Sequence, residues 1–408
     1  MLLIKNIGIL QTPVGSFPHG GDKQGENVKI HNAAIMIDDG VIAAITGDGV
    51  LPEGWESAEV LDAQGRLVTP GLVDCHTHMV FGGYRQGEIP LKLRGAGYLD
   101  ILRAGGGILD TVGKTRAAPE EELYEKSRAF LDQMLRLGVT TVESKSGYGL
   151  DLENERKQLR VNKRLNENHP VDVVSTFLGA HAIPEEYKGR ADEYIDYLCH
   201  VVLPAVKEEA LADFVDVFCE DSVFDVAQSE KMLRAGQALG LRARIHADEI
   251  EEIGGAVLAG ELGAVSAEHL IATGEKGMAA MAKGGVIADL LPATSFYLNK
   301  TFAPARRMIE LGIPVSIASD FNPGSCPSLN LQLAMSMGYI KYRMTPEEVL
   351  TAVTINAASS CGLEKKIGTL EVGKQADIVI WDAPDMEMLV YRFGSNLAHT
   401  VIKRGQVQ

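Results

Sequence analysis

The sequence predicts a (β/α)8 barrel joined to a small β-sandwich-like domain built from both chain ends. Three observations carry this expectation. Short β-branched runs recur eight times through the middle of the chain, each followed by a polar loop and a helix-length amphipathic segment. Strand-like alternation with Gly turns, and no long helical pattern, is confined to the two ends. Histidines and one carboxylate collect where the runs stop, as the chemistry of such a barrel collects at the C-terminal ends of its strands.

Taken in order, residues from about Leu2 to Leu67 alternate apolar and polar positions, as in Ala33-Ala34-Ile35-Met36-Ile37-Asp38, and Asp39-Gly40 marks a turn. The eight runs follow: Gly71 to His78, Val139 to Lys145, Val171 to His181, Phe214 to Glu220, Arg242 to His246, Ala264 to His269, Val286 to Leu291 and Pro314 to Asp320. Strand character returns in Ala376 to Asp382 and His399 to Lys403. A barrel of this kind takes about 250 residues, so a chain of 408 leaves room for a second module. The expected division is residues 1–66 plus 365–408 for the β-rich domain and 67–364 for the barrel.

Composition narrows the function. Hydrophobic residues at 46% and charged residues at 23% describe a globular chain with ample core. Net charge is −16 with no basic cluster, so nucleic acid is not an expected partner. The run Met1-Leu2-Leu3-Ile4 stops at Lys5 without a cleavage pattern, and no apolar stretch reaches the roughly 18 residues of a membrane span. Cys75, Cys199, Cys219, Cys326 and Cys361 are scattered without a C-x-x-C pair, which suits reduced thiols and a cytoplasmic location.

His76 and His78 project from one face of a strand end, so both imidazoles can meet one ion. His181 ends the third run, His246 the fifth, His269 the sixth and Asp320 the eighth. Singly, a histidine at a strand end is more often a hydrogen-bonded structural residue than a ligand. Independent structural histidines, however, have no reason to gather at one barrel mouth. His76, His78, His246 and Asp320 supply three imidazoles and a carboxylate, a set that suits one Zn(2+) or Fe(3+) and does not choose between them. Water activated by such an ion ionises near neutral pH, and His269 is then free to serve as base or proton shuttle. The fourth run ends Cys219-Glu220-Asp221 with no Lys to bridge two ions, so a mononuclear site is expected, although Glu220 leaves an opening for a second.

These residues resemble the amidohydrolase superfamily. The matching stretches include His76-Thr77-His78, Lys145-Ser146-Gly147-Tyr148-Gly149, Gly179-Ala180-His181, His246-Ala247-Asp248-Glu249, Glu268-His269 and Asp320-Phe321-Asn322-Pro323-Gly324-Ser325, in order along nearly the whole barrel. The His-x-His element marks only the superfamily. The narrower motifs resemble members that open a five-membered cyclic amide bearing a propionate tail. That likeness implies that Arg85 clamps the carboxylate tail, with Tyr148 and Ser325 as further substrate contacts. It implies that Glu249 hydrogen-bonds the ring nitrogens and that His181 donates to the ring carbonyl as charge develops there. Asn322 and Gly324 match positions that contact the opened product, Asp320 shares the proton with His269, and a homodimer is implied.

Four features stand apart from that pattern. Ile89 occupies a position where an aromatic is expected. Gly105-Gly106-Gly107 lacks a following Lys-Ser or Lys-Thr, so it reads as a lid or tight loop and not a nucleotide cradle. Lys145 reads as buried against neighbouring carboxylates, and Asp289 carries no assignment. Two rival functions remain: a heterocyclic amine deaminase, which would share the ligand set but need no carboxylate clamp, and a catalytically silent barrel, which tends to lose ligands that are all present here.

Overall fold

The structure, a computed structural model, describes residues 1–95 and 106–408. The N-terminal strands are β1 (Leu2–Thr12), β2 (Val28–Asp38), β3 (Val41–Thr46), β4 (Glu59–Asp62) and β5 (Leu67–Pro70). They join the C-terminal strands β14 (Ile378–Trp381), β15 (Ala398–Lys403) and β16 (Gln406–Val407) in one sheet ordered β16-β15-β14-β5-β1-β2-β3, with β4 paired to β1. Alternation along these strands sends Ile4, Ile35 and Ile37 into one apolar cluster with Ile378 and Ile380, while Leu3, Ala34 and Met36 pack on the other face.

The second sheet is parallel and runs in chain order: β6 (Leu72–Asp74), β7 (Val139–Lys145), β8 (Asp172–Ala180), β9 (Phe214–Cys219), β10 (Arg242–Ala247), β11 (Ser266–His269), β12 (Ile287–Leu290) and β13 (Val315–Ile317). All eight expected runs are strands of this sheet. Their residues are almost all buried, as near-continuous apolar runs covered by helices on the outside should be. Helix starts follow the local sequence. Asp151 caps Leu152–Asn168, and capping boxes at Asp225/Gln228 and Thr345/Glu348 start Val226–Ala238 and Pro346–Ala352.

The expected boundary at residue 67 shifts. Leu67–Pro70 pairs with β1 and β14 in the terminal sheet, and the chain enters the barrel only after Gly71. A Cβ at Gly71 would lie 2.4 Å from Thr140 Oγ1, so the crossing point has no room for a side chain.

Closure between β13 and β6 is made beyond the strand ends. The Asp320 N–H donates to His76 O (3.0 Å) and the His78 N–H to Phe321 O (2.9 Å). The segments that seal the barrel are therefore those that carry His76, His78 and Asp320.

Candidate metal centre

His76 Nε2 and His78 Nε2 lie 3.3 Å apart, and Asp320 Oδ1 is 3.5 Å from the first and 3.6 Å from the second. The His246 ring is centred 4.7 Å from that of His76 and 5.5 Å from that of His78. One ligand atom from each of His76, His78 and His246 lies within 4.8 Å of the others, and the same holds for His76, His269 and Asp320. All five side chains are buried.

Carboxylates behind the rings decide which nitrogen carries the proton. Glu268 Oε2 stands 3.1 Å from His76 Nδ1 and 3.0 Å from His246 Nδ1, and Asp216 Oδ2 is also 3.0 Å from His246 Nδ1. These are ion-pair approaches and not aligned hydrogen bonds. A carboxylate there still favours the Nδ1–H tautomer and turns the Nε2 lone pairs into the mouth. Lone pairs only 3.3 Å apart repel unless a cation lies between them, and buried His246 Nε2 has no hydrogen-bond partner. Three imidazoles and a carboxylate so disposed fit a zinc or iron ion.

Asp320 is held on both oxygens. Thr294 Oγ1 donates to Oδ2 (2.5 Å) and Asn322 Nδ2 to Oδ1 (3.1 Å), while burial pushes its pKa up to about 7. His269 and Asp320 adopt positive φ, +68° and +52°. Left-handed backbone at non-glycine residues costs of order 1 kcal/mol or more and collects at functional sites.

Beneath the ligands lies a layer that the sequence reading largely missed. Lys145 Nζ contacts Glu143 Oε1 (3.0 Å), Asp216 Oδ2 (2.9 Å) and Glu268 Oε1 (3.0 Å). Arg244 bridges Glu268 (2.7 Å) and Asp289 (2.8 Å), and Ser316 and Ser360 donate to Asp289. Lys145 thus packs against carboxylates as expected, and Asp289 acquires a role as partner of Arg244. The available signal was a charged residue inside five of the apolar runs, Glu143, Asp216, Arg244, Glu268 and Asp289, since a buried charge must be paired.

The expected substrate residues line the mouth to differing degrees. His181 stacks on His78 at 4.9 Å and 15°, and its Nδ1–H donates to Gly147 O (3.1 Å). Burial and the nearby His246 lower His181 to about 3, so the neutral ring presents Nε2 as an acceptor. Donation to a carbonyl, as implied by the resemblance, would require a second proton. Glu249 lies 3.8 Å from His269 Nε2 and 3.2 Å from Lys300 Nζ. Burial works to raise Glu249, but His269 and Lys300 outweigh it and hold the carboxyl below its ordinary value. Burial lowers His269 to about 4, leaving it a neutral base at pH 7.

Arg85 reaches the same wall as Tyr148, whose buried ring is centred 6.0 Å from that of His78. The Arg85 guanidinium fills the space beside Gly324, where a Cβ would fall 1.1 Å from Nη2. Asn322 is occupied at both ends: Nδ2 donates to Asp320, and Oδ1 accepts from Gly324 N, Ser325 N, Ser325 Oγ and Cys326 N. It builds the turn that carries Ser325.

Glu220 accepts the N–H groups of Asp221, Ile250 and Glu251, and among the described residues it joins no ligand group. A third group, Asp216-His246-Glu268, has Lys145 Nζ against both of its carboxylates. Ile89 is exposed, and Gly105 lies outside the described residues. Gly107, at φ +80°, donates its N–H to Glu88 Oε1 (2.7 Å) and leads into helix Ile108–Ala117. The five cysteines are free and buried. Among the described residues no helix is long and apolar enough to cross a membrane.

Comparison with known proteins gives the family of the chain. Residues 85–408 match the amidohydrolase family. The chain is 50% identical over its whole length to the imidazolonepropionase of Alkaliphilus metalliredigens (strain QYMF), covering 97% of that protein. It is 48% identical over its whole length to that of Bacillus cytotoxicus, covering 96%. Among solved structures it is similar to 5-methylcytosine deaminase from Klebsiella pneumoniae liganded with phosphonocytosine, with TM-score 0.76, 20% identity and coverage of 99% and 97% of the two chains. It is also similar to an adenosine deaminase from Xanthomonas campestris with bound zinc, with TM-score 0.69, 20% identity and coverage of 100% and 92%. The deaminase likenesses show the fold alone.

Proposed function

The chain belongs to the imidazolonepropionases of the amidohydrolase superfamily, and on that premise we propose how its residues divide the reaction. The reaction is hydrolysis of the cyclic amide of 4-imidazolone-5-propanoate to N-formimidoyl-L-glutamate, the third step of histidine degradation. A heterocyclic amine deaminase is the less supported reading, since it leaves Arg85 without a task.

The observation that carries the assignment is the convergence of His76 Nε2, His78 Nε2 and Asp320 Oδ1, with His246 beside them, beneath a wall bearing Arg85 and Tyr148. His76, His78, His246 and Asp320 would hold one Zn(2+) or Fe(3+). Such an ion supplies Lewis acidity and an activated water.

His269, neutral at pH 7, accepts the proton of the attacking water, and Asp320 shares it toward the departing ring nitrogen. Arg85 clamps the propionate with Tyr148 and Ser325 beside it. Glu249, kept ionised by Lys300, accepts ring N–H groups. His181 presents Nε2 to the ring and becomes an oxyanion donor only on taking a second proton. Asn322 and Gly324 act on the opened product through the turn they build and the room they leave for Arg85. A cytoplasmic homodimer completes the reading; the five unpaired thiols suit a reducing compartment.

The test follows loss of imidazolone absorbance with the authentic substrate, with and without a chelator, and with an analogue lacking the propionate. Turnover is expected to need the tail and to return when Zn(2+) or Fe(3+) is restored. Full turnover by metal-free protein, or equal turnover of the tailless analogue, overturns the assignment. His246→Asn is expected to lose bound metal and activity together, read by elemental analysis.

A further inference from the structure

The motif Ser146-Gly147-Tyr148-Gly149-Leu150 is wound around a carboxylate that lies outside it in sequence. Glu155, fully buried near the start of helix Leu152–Asn168, turns its side chain back into the loop. Its Oε1 accepts the N–H groups of Gly149 and Leu150, both at 2.8 Å, and the Gly147 N–H is shared between Oε1 and Oε2 at 3.2 Å each. The Ser146 hydroxyl also bonds this carboxylate. One turn further along the helix, Gln158 Oε1 takes the Tyr148 N–H (3.0 Å), and its amide donates to Val80 O (2.7 Å), two residues past His78.

The loop backbone follows from these bonds. Gly147 has φ +107° and Leu150 φ +55°, and a Cβ on Gly149 would lie 2.4 Å from the Asn154 backbone. Successive N–H groups converging on an anion form a nest, a shape that elsewhere captures phosphate. Here the anion is the protein's own side chain, so the nest shapes the loop and binds no ligand.

Two groups leave this loop for the mouth: the Tyr148 ring, and the Gly147 carbonyl that accepts from His181 Nδ1. We propose that Glu155 is a positioning residue for substrate recognition, setting the Tyr148 ring through the flanking amides of Gly147 and Gly149 and the His181 tautomer through the Gly147 carbonyl. The proposal rests on the assignment of Tyr148 and His181 to the substrate. Glu155 itself reaches no reacting atom; it makes the narrow motif adopt the one shape that aims both groups.

The holoenzyme variants Glu155→Leu, Glu155→Gln, Tyr148→Phe, His181→Asn and the double variant Glu155→Leu/Tyr148→Phe separate the possibilities. Glu155→Leu is expected to keep its metal while kcat/KM falls on the order of 100-fold, the scale of a misplaced binding group, and its thermal transition drops because three buried N–H groups lose their acceptor. Glu155→Gln, which retains the Oε1 acceptor, should recover most of that loss. In the double variant the two losses should fall short of additive, because part of the Glu155 loss acts through the Tyr148 ring that Tyr148→Phe already alters. Wild-type kcat/KM in Glu155→Leu, or full additivity, overturns the proposal.

Should Glu155→Leu fail to fold, amide exchange in Glu155→Asp, whose shorter carboxylate stops short of the loop amides, decides. Faster exchange at Gly147 to Leu150 with a raised KM supports the proposal, and unchanged exchange and KM overturn it. Wild-type kinetics in both Tyr148→Phe and His181→Asn would instead sink the substrate assignment, and the exchange measurement would still report whether Glu155 holds the loop.

Discussion

Gly324 has no room for a side chain, because the Arg85 guanidinium occupies the space a Cβ would take, 1.1 Å from Nη2. Gly324→Ala is therefore expected to displace the guanidinium while leaving the ligand atoms in place. A charge-assisted hydrogen bond contributes about 1.5–3 kcal/mol, so KM should rise roughly tenfold or more with kcat within a few-fold, read by steady-state kinetics. An unchanged KM would remove Arg85 from the carboxylate clamp. The same scale shows where residue identity stops being informative. Gly324 was legible as part of a motif, but its reason, the neighbouring Arg85, lies far away in sequence. Asn322 reads as a substrate contact in the motif, yet both ends of its amide are spent on Asp320 and the turn.

β15 ends in a latch between the two sheets. Lys403 Nζ contacts Asp377 (2.6 Å) beside β14 and Asp172 (2.8 Å) at the start of β8, and Arg404 also reaches Asp172. Lys403→Met leaves buried Asp377 without its cation and Asp172 with Arg404 alone. Removing one partner of a buried pair costs about 3–5 kcal/mol, a loss measurable by urea unfolding at pH 7. Burial tends to raise Asp172, but Lys403 and Arg404 outweigh it and hold its pKa below the ordinary value. Its stabilising contribution is therefore present above the unfolded carboxylate value of about 3.9 and is lost as pH falls through the lower folded value. The deficit of Lys403→Met should accordingly persist down to about pH 4 and narrow below it, as Asp172 takes up its proton; a constant deficit would remove electrostatics as its cause. This element-scale link was not readable in the alternating strand pattern, which placed both ends in β structure but could not say what they docked against.

At the scale of the whole molecule, closure and the proposed metal site are one construction. The backbone bonds that seal the barrel join His76 to Asp320 and His78 to Phe321, and three of the four proposed ligands hang from those bonds. Under them, the carboxylates of Glu143, Asp216, Glu268 and Asp289 outnumber the cations of Lys145 and Arg244 set among them, all six fully buried. A cation at the mouth offsets that excess of negative charge, so chelation is expected to lower the melting temperature by several degrees and added Zn(2+) or Fe(3+) to restore it. Binding to the native state alone at a hundredfold excess over Kd contributes about 2.7 kcal/mol. Calorimetry showing identical melting of metal-free and metal-loaded protein would uncouple the site from the fold.

The sequence by itself determined the eight-strand barrel, the β character of both ends, and the gathering of His76, His78, His246, His269 and Asp320 at one mouth. Strand periodicity and the rarity of histidine are local properties that survive without coordinates. Only the tertiary structure decided the crossing at Gly71, the acceptor face of His181, the left-handed backbone at His269 and Asp320, and the buried layer of Lys145, Arg244 and their carboxylates. Each of these depends on which distant residue supplies a proton, a charge or a volume, and that is fixed only when the strands close on one another.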